Sequence, residues 1–238
     1  MEPLGWIAAG LRPHGLVLRG GFHPEPADAV PPLADGRPAR TLAMIGNIGA
    51  AGGDPMWRAF AQARARYAGA DPLNDWTRDA VAPLARAADA AALFPFDRPY
   101  HPFQRWAMRA EPVFPSPLGL LVHPVHGLWH AYRAALVFAE RIGLPPRAAA
   151  VSPCEACAEK PCLAACPVGA FDGTRYDVPR CVAFIDSAEG ADCMGRGCRV
   201  RRACPVGRGR AQEPAQAEFH MRAFRRAQRP PHPSTGSG

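Results

Sequence analysis

Eight cysteines stand between positions 154 and 204, and the rest of the 238 residues hold none. The first four read Cys154-x2-Cys157-x4-Cys162-x3-Cys166-Pro167. The second four read Cys181-x11-Cys193-x4-Cys198-x5-Cys204-Pro205. An internal repeat links the two sets: Ala165-Cys166-Pro167-Val168-Gly169 recurs as Ala203-Cys204-Pro205-Val206-Gly207. A disulfide scaffold needs an oxidising compartment. The start, Met1-Glu2-Pro3-Leu4-Gly5-Trp6, has an early acid and a proline in place of a basic start followed by a long apolar stretch. The expectation is a cytoplasmic chain whose cysteines are metal ligands. Two zinc sites would also use eight thiols, but zinc favours paired C-x2-C knuckles and only one pair has that spacing. A cubane iron–sulfur cluster, [4Fe–4S], takes four thiolates from different directions. Three cysteines close in sequence can wrap three corners, and a cysteine before proline leads away to serve the other cluster. That logic assigns Cys154, Cys157, Cys162 and Cys204 to one cluster. Cys166, Cys181, Cys193 and Cys198 go to a second. The proline removes a backbone donor and directs the turn, and the following glycine lets backbone approach the cluster.

The formal charge is +7, nearly all of it arginine, Lys160 being the single lysine. Taken alone this invites nucleic acid. Two thiolate-bound cubanes, each about −2 when oxidised, bring the balance to roughly +3. Arg196, Arg199, Arg201, Arg202, Arg208 and Arg210 all lie within or just after the cysteine region. They are expected to answer the clusters, or in the case of Arg201 and Arg202 to tune a potential or dock an acidic partner; a basic solvated surface is the equal alternative. The expected partner is a redox protein; nucleic acid is not expected. No run of 18 apolar residues occurs, so no membrane span is expected.

The elements that must position these thiols read as α+β. Leu16–Leu18 is a short strand candidate, 23–38 an extended loop, and Thr41–Ile45 a buried strand closed by Gly46. The segment Gly46–Gly53 matches neither the dinucleotide fingerprint nor the P-loop and reads as a strand-to-helix turn. Asp54 caps a helix that starts at Pro55 and runs to about Tyr67. A second helix spans roughly Leu73–Ala92, kinked or divided by Pro83. Ala91–Phe96 is a strand candidate, Phe103–Ala110 a short helix, and Leu118–Val122 a buried strand. Gly127–Ile142 reads as the clearest helix, with Leu128, Tyr132, Leu136 and Ala139 at three-to-four-residue spacing and Gly143 and Pro145 as stops. On that helix His126 and His130, four apart, could chelate a metal, though packing or support of a nearby site is favoured; Trp129 and Tyr132 read as core. The expected domains are 1–149, an α+β (α/β-type) domain of unknown ligand, and 150–210, the cluster module. Residues 211–238 follow as a terminal helix from Pro214 to Gln228, with Phe219 and Phe224 inward, and a disordered tail from Arg229.

The cysteine module resembles bacterial-type ferredoxin domains with two [4Fe–4S] clusters, its first set having x4 where x2 is usual. A wider stretch, roughly residues 95 to 207, resembles the epoxyqueuosine reductases and their corrinoid-dependent relatives, the reductive dehalogenases. The residues that carry this are Pro117-Leu118-Gly119-Leu120-Leu121-Val122-His123-Pro124 and Gly127-Leu128-Trp129, followed by the 14-residue gap between Cys166 and Cys181. The resemblance implies clusters that feed electrons to a corrinoid, cobalamin, in a reduced form of the first domain. One departure matters. The family's catalytic acid lies in an Asp-Tyr-His stretch, and the nearest match here is Pro99-Tyr100-His101. Reduction of a tRNA base is therefore not carried over. The leading expectation is an electron-transfer protein. A cobalamin- or flavin-linked reductase is the alternative, and a zinc-stabilised RNA-binding module is a third class.

Overall fold

The computed structural model describes residues 3–228. Two compact units emerge. The first comprises residues 3–116, Leu120–Ala158 and Pro205–Ala211; the second comprises Pro117–Gly119, Glu159–Cys204 and residues 212–228.

The first unit is built on a four-stranded sheet. Its strands are β1 (Val17–Phe22), β2 (Thr41–Ile48), β3 (Ala90–Leu93) and β6 (His130–Phe138), in the order β1-β2-β6-β3. Every pairing is antiparallel, so the class is α+β. A separate two-residue ladder joins β4 (Phe114–Pro115) to β5 (Leu121–Val122). Strand β2 is buried over seven successive residues because the sheet is covered on both faces. Leu42 and Met44 pack with Phe103, Trp106 and Ala110 of α4 (Phe103–Ala110) on one face. By strand alternation Ala43 and Ile45 point to the other. Helices α1 (Pro3–Leu11), α2 (Pro55–Ala63) and α3 (Pro72–Ala87) contribute the buried Ile7, Leu11, Phe60, Trp76 and Val81. The 23–38 loop is pinned by Trp106 Nε1, which donates to Asp28 O at 2.8 Å, and by Arg109 on the Asp28 carboxylate.

The expected helix over Gly127–Ile142 is instead strand β6, bonded to β2 on one side and β3 on the other. Ala134–Phe138 is buried without interruption. A strand covered on both faces needs no alternation, so its apolar residues fall at helical as well as strand spacings. Gly143 and Pro145 end a strand as well as they end a helix. Between Ile45 and Gly46 the register steps and leaves Arg133 opposite no partner, a β-bulge. Gly46 makes the step possible: a Cβ there would stand 2.1 Å from Ala131 O.

Other bounds moved less. Asp54 caps α2 as expected, accepting from Met56 N at 3.0 Å, and a 3-10 turn over Arg64–Arg66 follows. The helix α3 ends at Ala87 and runs through Pro83 unbroken. Pro83 and Asp79, whose carbonyl loses its helical partner, are both exposed, so water can serve that carbonyl. The expected strand Leu118–Val122 shrinks to β5, with Leu120 exposed.

The second unit is a set of short helices: α6 (Pro161–Ala164), α7 (Val178–Ile185), α8 (Ala191–Arg196), α9 (Arg199–Arg202) and α10 (Pro214–Ala227). Helix α10 packs on α8, α6 on α9, and α7 on α8. Buried side chains are few here: Leu118, Ala170, Ile185, Cys193, Val200, Cys204, Gln216 and Ala217. In α10 it is Gln216 and Ala217 that are buried, while Phe219 and Phe224 are half-buried. The tail from Arg229 lies outside the described residues.

Candidate metal centre

The second unit gathers four of the eight cysteines. Cys166 follows α6, Cys181 lies in α7, Cys193 lies in α8, and Cys198 caps α9. Local chemistry sets each position. Asp177 accepts from Arg180 N at 3.0 Å and so starts α7 one turn before Cys181. Burial pushes the Cys181 thiol up, and the charges of Cys166 and Cys193 push it further. Burial likewise raises Cys198, with Cys193 and Cys181 adding to it. Ala170 N donates to Cys166 Sγ at 3.2 Å, while the Val200 and Arg201 N–H groups and the Tyr176 side chain pull Cys198 and Cys181 down against the larger effect of burial. These four thiols therefore share one neighbourhood; among the described residues no three His, Cys, Asp or Glu side chains converge on a single-ion position.

The remaining four divide between the units. Cys154 lies in α5 (Pro153–Ala156) and Cys157 caps its end, both in the first unit. Cys162 lies in α6, and Cys204 follows α9, both in the second. No disulfide joins any of the eight cysteines.

The arginines of this region are committed in part to carboxylates. Asp192 receives Arg199 at 2.7 Å, Arg202 at shorter range, and Arg196 at 3.7 Å. The Arg199 hydrogen bond, followed by Arg202, holds the Asp192 carboxyl below its ordinary range. Arg225 pairs with Asp186, and Arg201 donates to Gln212 at 3.1 Å.

A second polar cluster, in the first unit, was not visible in the sequence. Arg19 of β1 is 2% exposed and grips Glu111 through Nη2 at 2.6 Å and Nε at 3.2 Å. Its Nη1 donates to Asn47 O at 3.0 Å. Tyr132 of β6 donates its hydroxyl to the same carboxylate. His130 lies between Leu121 O at 3.1 Å and Arg19 Nη2 at 3.4 Å. Since a guanidinium only donates and a carbonyl only accepts, the ring carries its proton on Nε2. His123 Nδ1 accepts from Val125 N and His126 N, which puts its proton on Nε2, 3.9 Å from Glu111. The His123 and His126 rings stack at 4.3 Å. Burial, then the Arg19 charge, lowers His130 to about 3; burial, then His123, lowers His126 to about 4. Burial drives the Tyr132 hydroxyl well above its ordinary value. At neutral pH the cluster is one ion pair among neutral rings. His126 and His130 are near each other as expected, but on a turn and a strand, so the helical chelate is gone. The Pro205–Ala211 segment crosses that turn closely, for a Cβ on Gly207 would meet His126 O at 2.6 Å.

No protein-family model matches this chain, and no curated protein matches it. Solved structures do share its fold. One is an epoxyqueuosine reductase in a crystal with an epoxyqueuosine-modified tRNA-Tyr stem loop. It is 14% identical, covers 91% of this chain and 71% of its own, and has a TM-score of 0.51. Another is the epoxyqueuosine reductase of Bacillus subtilis with its catalytic loop swung out of the active site. It is 13% identical over the same shares, with a TM-score of 0.51. At these identities the likeness is one of fold. Among the described residues no helix is long and apolar enough to cross a membrane. The tRNA-bound neighbour corrects the exclusion of nucleic acid as a partner. That exclusion set much of the arginine excess against cluster charge, whereas phosphate contact depends on local basic surface. Three of the arginines assigned to the clusters in fact answer Asp192. The fold likeness extends over most of the chain and is similar to the resemblance read from the cysteine region and the segment before it.

Proposed function

We propose that this chain is an iron–sulfur protein of a reductase type, holding two [4Fe–4S] clusters. One is held by Cys154, Cys157, Cys162 and Cys204, the other by Cys166, Cys181, Cys193 and Cys198. The observation that carries the reading is the nearness of the last four thiols, from four separate segments, with the Ala170 N–H donating to Cys166 Sγ. That donor set fits a cubane, whose thiolates are stabilised by such hydrogen bonds. When bound, the clusters supply one-electron transfer. The protein's part is to orient the thiolates and keep water from them. The electrons go to a substrate or to a corrinoid or flavin in the first unit; the likeness to epoxyqueuosine reductases over 91% of the chain supports a reductase over a free-standing electron carrier. An RNA stem loop is a proposed partner on the same ground. Epoxyqueuosine reduction itself is not proposed, because Pro99 stands where the family's catalytic acid is expected.

Anaerobic reconstitution followed by metal analysis and EPR after dithionite reduction tests the reading. Two cubanes give about eight iron per chain and coupled signals. A colourless protein with zinc and no iron rejects it, as does an iron content below about six per chain, which two full cubanes cannot give. Titration with cobalamin, flavin and an RNA stem loop then separates the acceptors; binding of neither cobalamin nor flavin removes the cofactor-linked version.

A further inference from the structure

Arg133 of β6 carries a charge that the chain does not answer. The bulge in β6 sets its place. The register with β2 steps from Ala134 to Tyr132, so Arg133 has no partner there. On the other side β3 ends opposite Ala135, before Arg133 is reached. The side chain turns to the first turns of α3. Its Nε donates to Thr77 Oγ1 at 3.2 Å. Its Nη2 donates to Thr77 Oγ1 at 2.9 Å, Asn74 Oδ1 at 3.0 Å and Leu73 O at 3.2 Å. The Phe96 ring centre lies 5.8 Å from the guanidinium carbon. All of these acceptors are neutral. Burial alone lowers the guanidinium to about 10, and no charge among the described residues acts on it from either side. Arg19 in the same sheet meets Glu111, and Arg78, 5.3 Å from the same Phe96 ring, meets Asp97. A buried charge is ordinarily paired. Among the described residues nothing bonds Arg133 Nη1, and that atom reaches solvent.

We propose that the open edge of Arg133 binds an oxyanionic group, a carboxylate or a phosphate, which supplies the missing counter-charge. This site does not depend on the cluster assignment. The oxygens of Leu73, Asn74 and Thr77 hold Nε and Nη2, and so fix the plane of the guanidinium. Nη1 then presents its N–H groups outward in a set direction. An anionic acceptor there makes a charge-assisted bond, shorter and stronger than one to a neutral oxygen or to water. No covalent bond forms or breaks. Arg133 stays protonated at neutral pH with or without the anion.

The test is thermal unfolding of the full chain in sodium phosphate and in sodium acetate, each against sodium chloride at the same pH and ionic strength. A ligand that binds only the folded form raises the midpoint in a saturable way. Expected is such a rise in wild type with at least one of the two anions; the larger response tells phosphate from carboxylate. Arg133→Gln removes the charge, and the affinity read from the rise falls by about tenfold or more. Asn74→Asp keeps the shape and places a carboxylate where Nη2 already donates, so the chain answers its own charge. The anion response falls there too. Aspartate in the first turn of a helix stabilises by itself, so the diagnostic reading is the lost response and not the midpoint in chloride. Loss of the response in both variants supports the site. No rise beyond chloride in wild type overturns it, and so does a response that either folded variant retains. If Arg133→Gln does not fold, Asn74→Asp decides alone.

Discussion

The two polar clusters of this molecule solve burial in opposite ways. In the first unit Arg19 is inside the sheet, and Glu111 answers it in full, with Tyr132 and Asn47 taking the remaining bonds. In the second unit burial, with neighbouring thiols adding to it, raises Cys181 and Cys198, and the hydrogen bond to Cys166 comes from a neutral backbone N–H, that of Ala170. The nearby cation Arg199 is already engaged by Asp192. The first arrangement answers its ion pair within the chain and supports the sheet, while His126 Nδ1 and Asn47 Oδ1 beside it are buried without a hydrogen-bond partner. The second holds thiols whose ionisation burial and neighbouring charge oppose, and the positive charge that would favour their thiolates is what a bound cluster would supply.

This contrast is sharpest under deletion. In the second unit, Cys166→Ala removes one corner of the proposed second cluster. Expected is loss of about half the iron, with the other cluster's EPR signal retained. Loss of the signal assigned to Cys154, Cys157, Cys162 and Cys204, with the other kept, would refute the crossed ligation. In the first unit, Glu111→Ala leaves the Arg19 guanidinium buried and unanswered. Breaking one partner of a buried pair costs about 3–5 kcal/mol, read as a fall in the denaturant midpoint. Iron content per folded chain stays unchanged.

The two regions also differed in how far the sequence revealed them. The cysteines are ligands by spacing, and spacing survives without knowledge of the fold. The first-unit cluster is assembled from β1, β2, the end of α4, the turn after β5 and β6, with Arg19 and Glu111 separated by 92 positions. Nothing local marks such a site. Reading β6 as a helix compounded this, since it placed His130 and Tyr132 on a helix face and hid their meeting with Arg19. Where local chemistry decides, the reading was close: the Asp54 cap of α2 and the bounds of α4 stand. Where tertiary cover decides, as in β6 and the shortened β5, periodicity had no power to discriminate.

Smaller changes probe how each region is held. Gly46→Ala drives a methyl into the Ala131 carbonyl, 2.1 Å away. The strand pair must open, at a cost of about 1–3 kcal/mol, visible in thermal unfolding. Acid acts on the same unit. His130 in the folded chain titrates near 3 because burial and Arg19 oppose its charge, while its unfolded value is 6.5. The unfolded state therefore binds the extra proton first. Stability falls as pH drops below about 6.5, and the decline from this residue flattens near its folded pKa. The slope is at most about 1.4 kcal/mol per pH unit for the one proton. His130→Gln makes the stability curve shallower between pH 6 and 4; an unchanged slope would show the ring to be charged in the fold.

The smallest expected effect lies in the second unit, where helices are short and caps weigh heavily. Asp177 accepts from Arg180 N and opens α7, an eight-residue helix that carries Cys181. Loss of such a cap costs about 1 kcal/mol. In a unit with so few buried apolar side chains, that cost falls on the geometry of the thiols. Asp177→Ala should then unfold slightly earlier without metal, and slow the uptake of iron during reconstitution. Once the cluster binds the folded form, mass action favours that form, so the difference between variant and wild type narrows. A stability difference that is the same with and without iron would show that α7 is fixed by its packing on α8 and not by its cap.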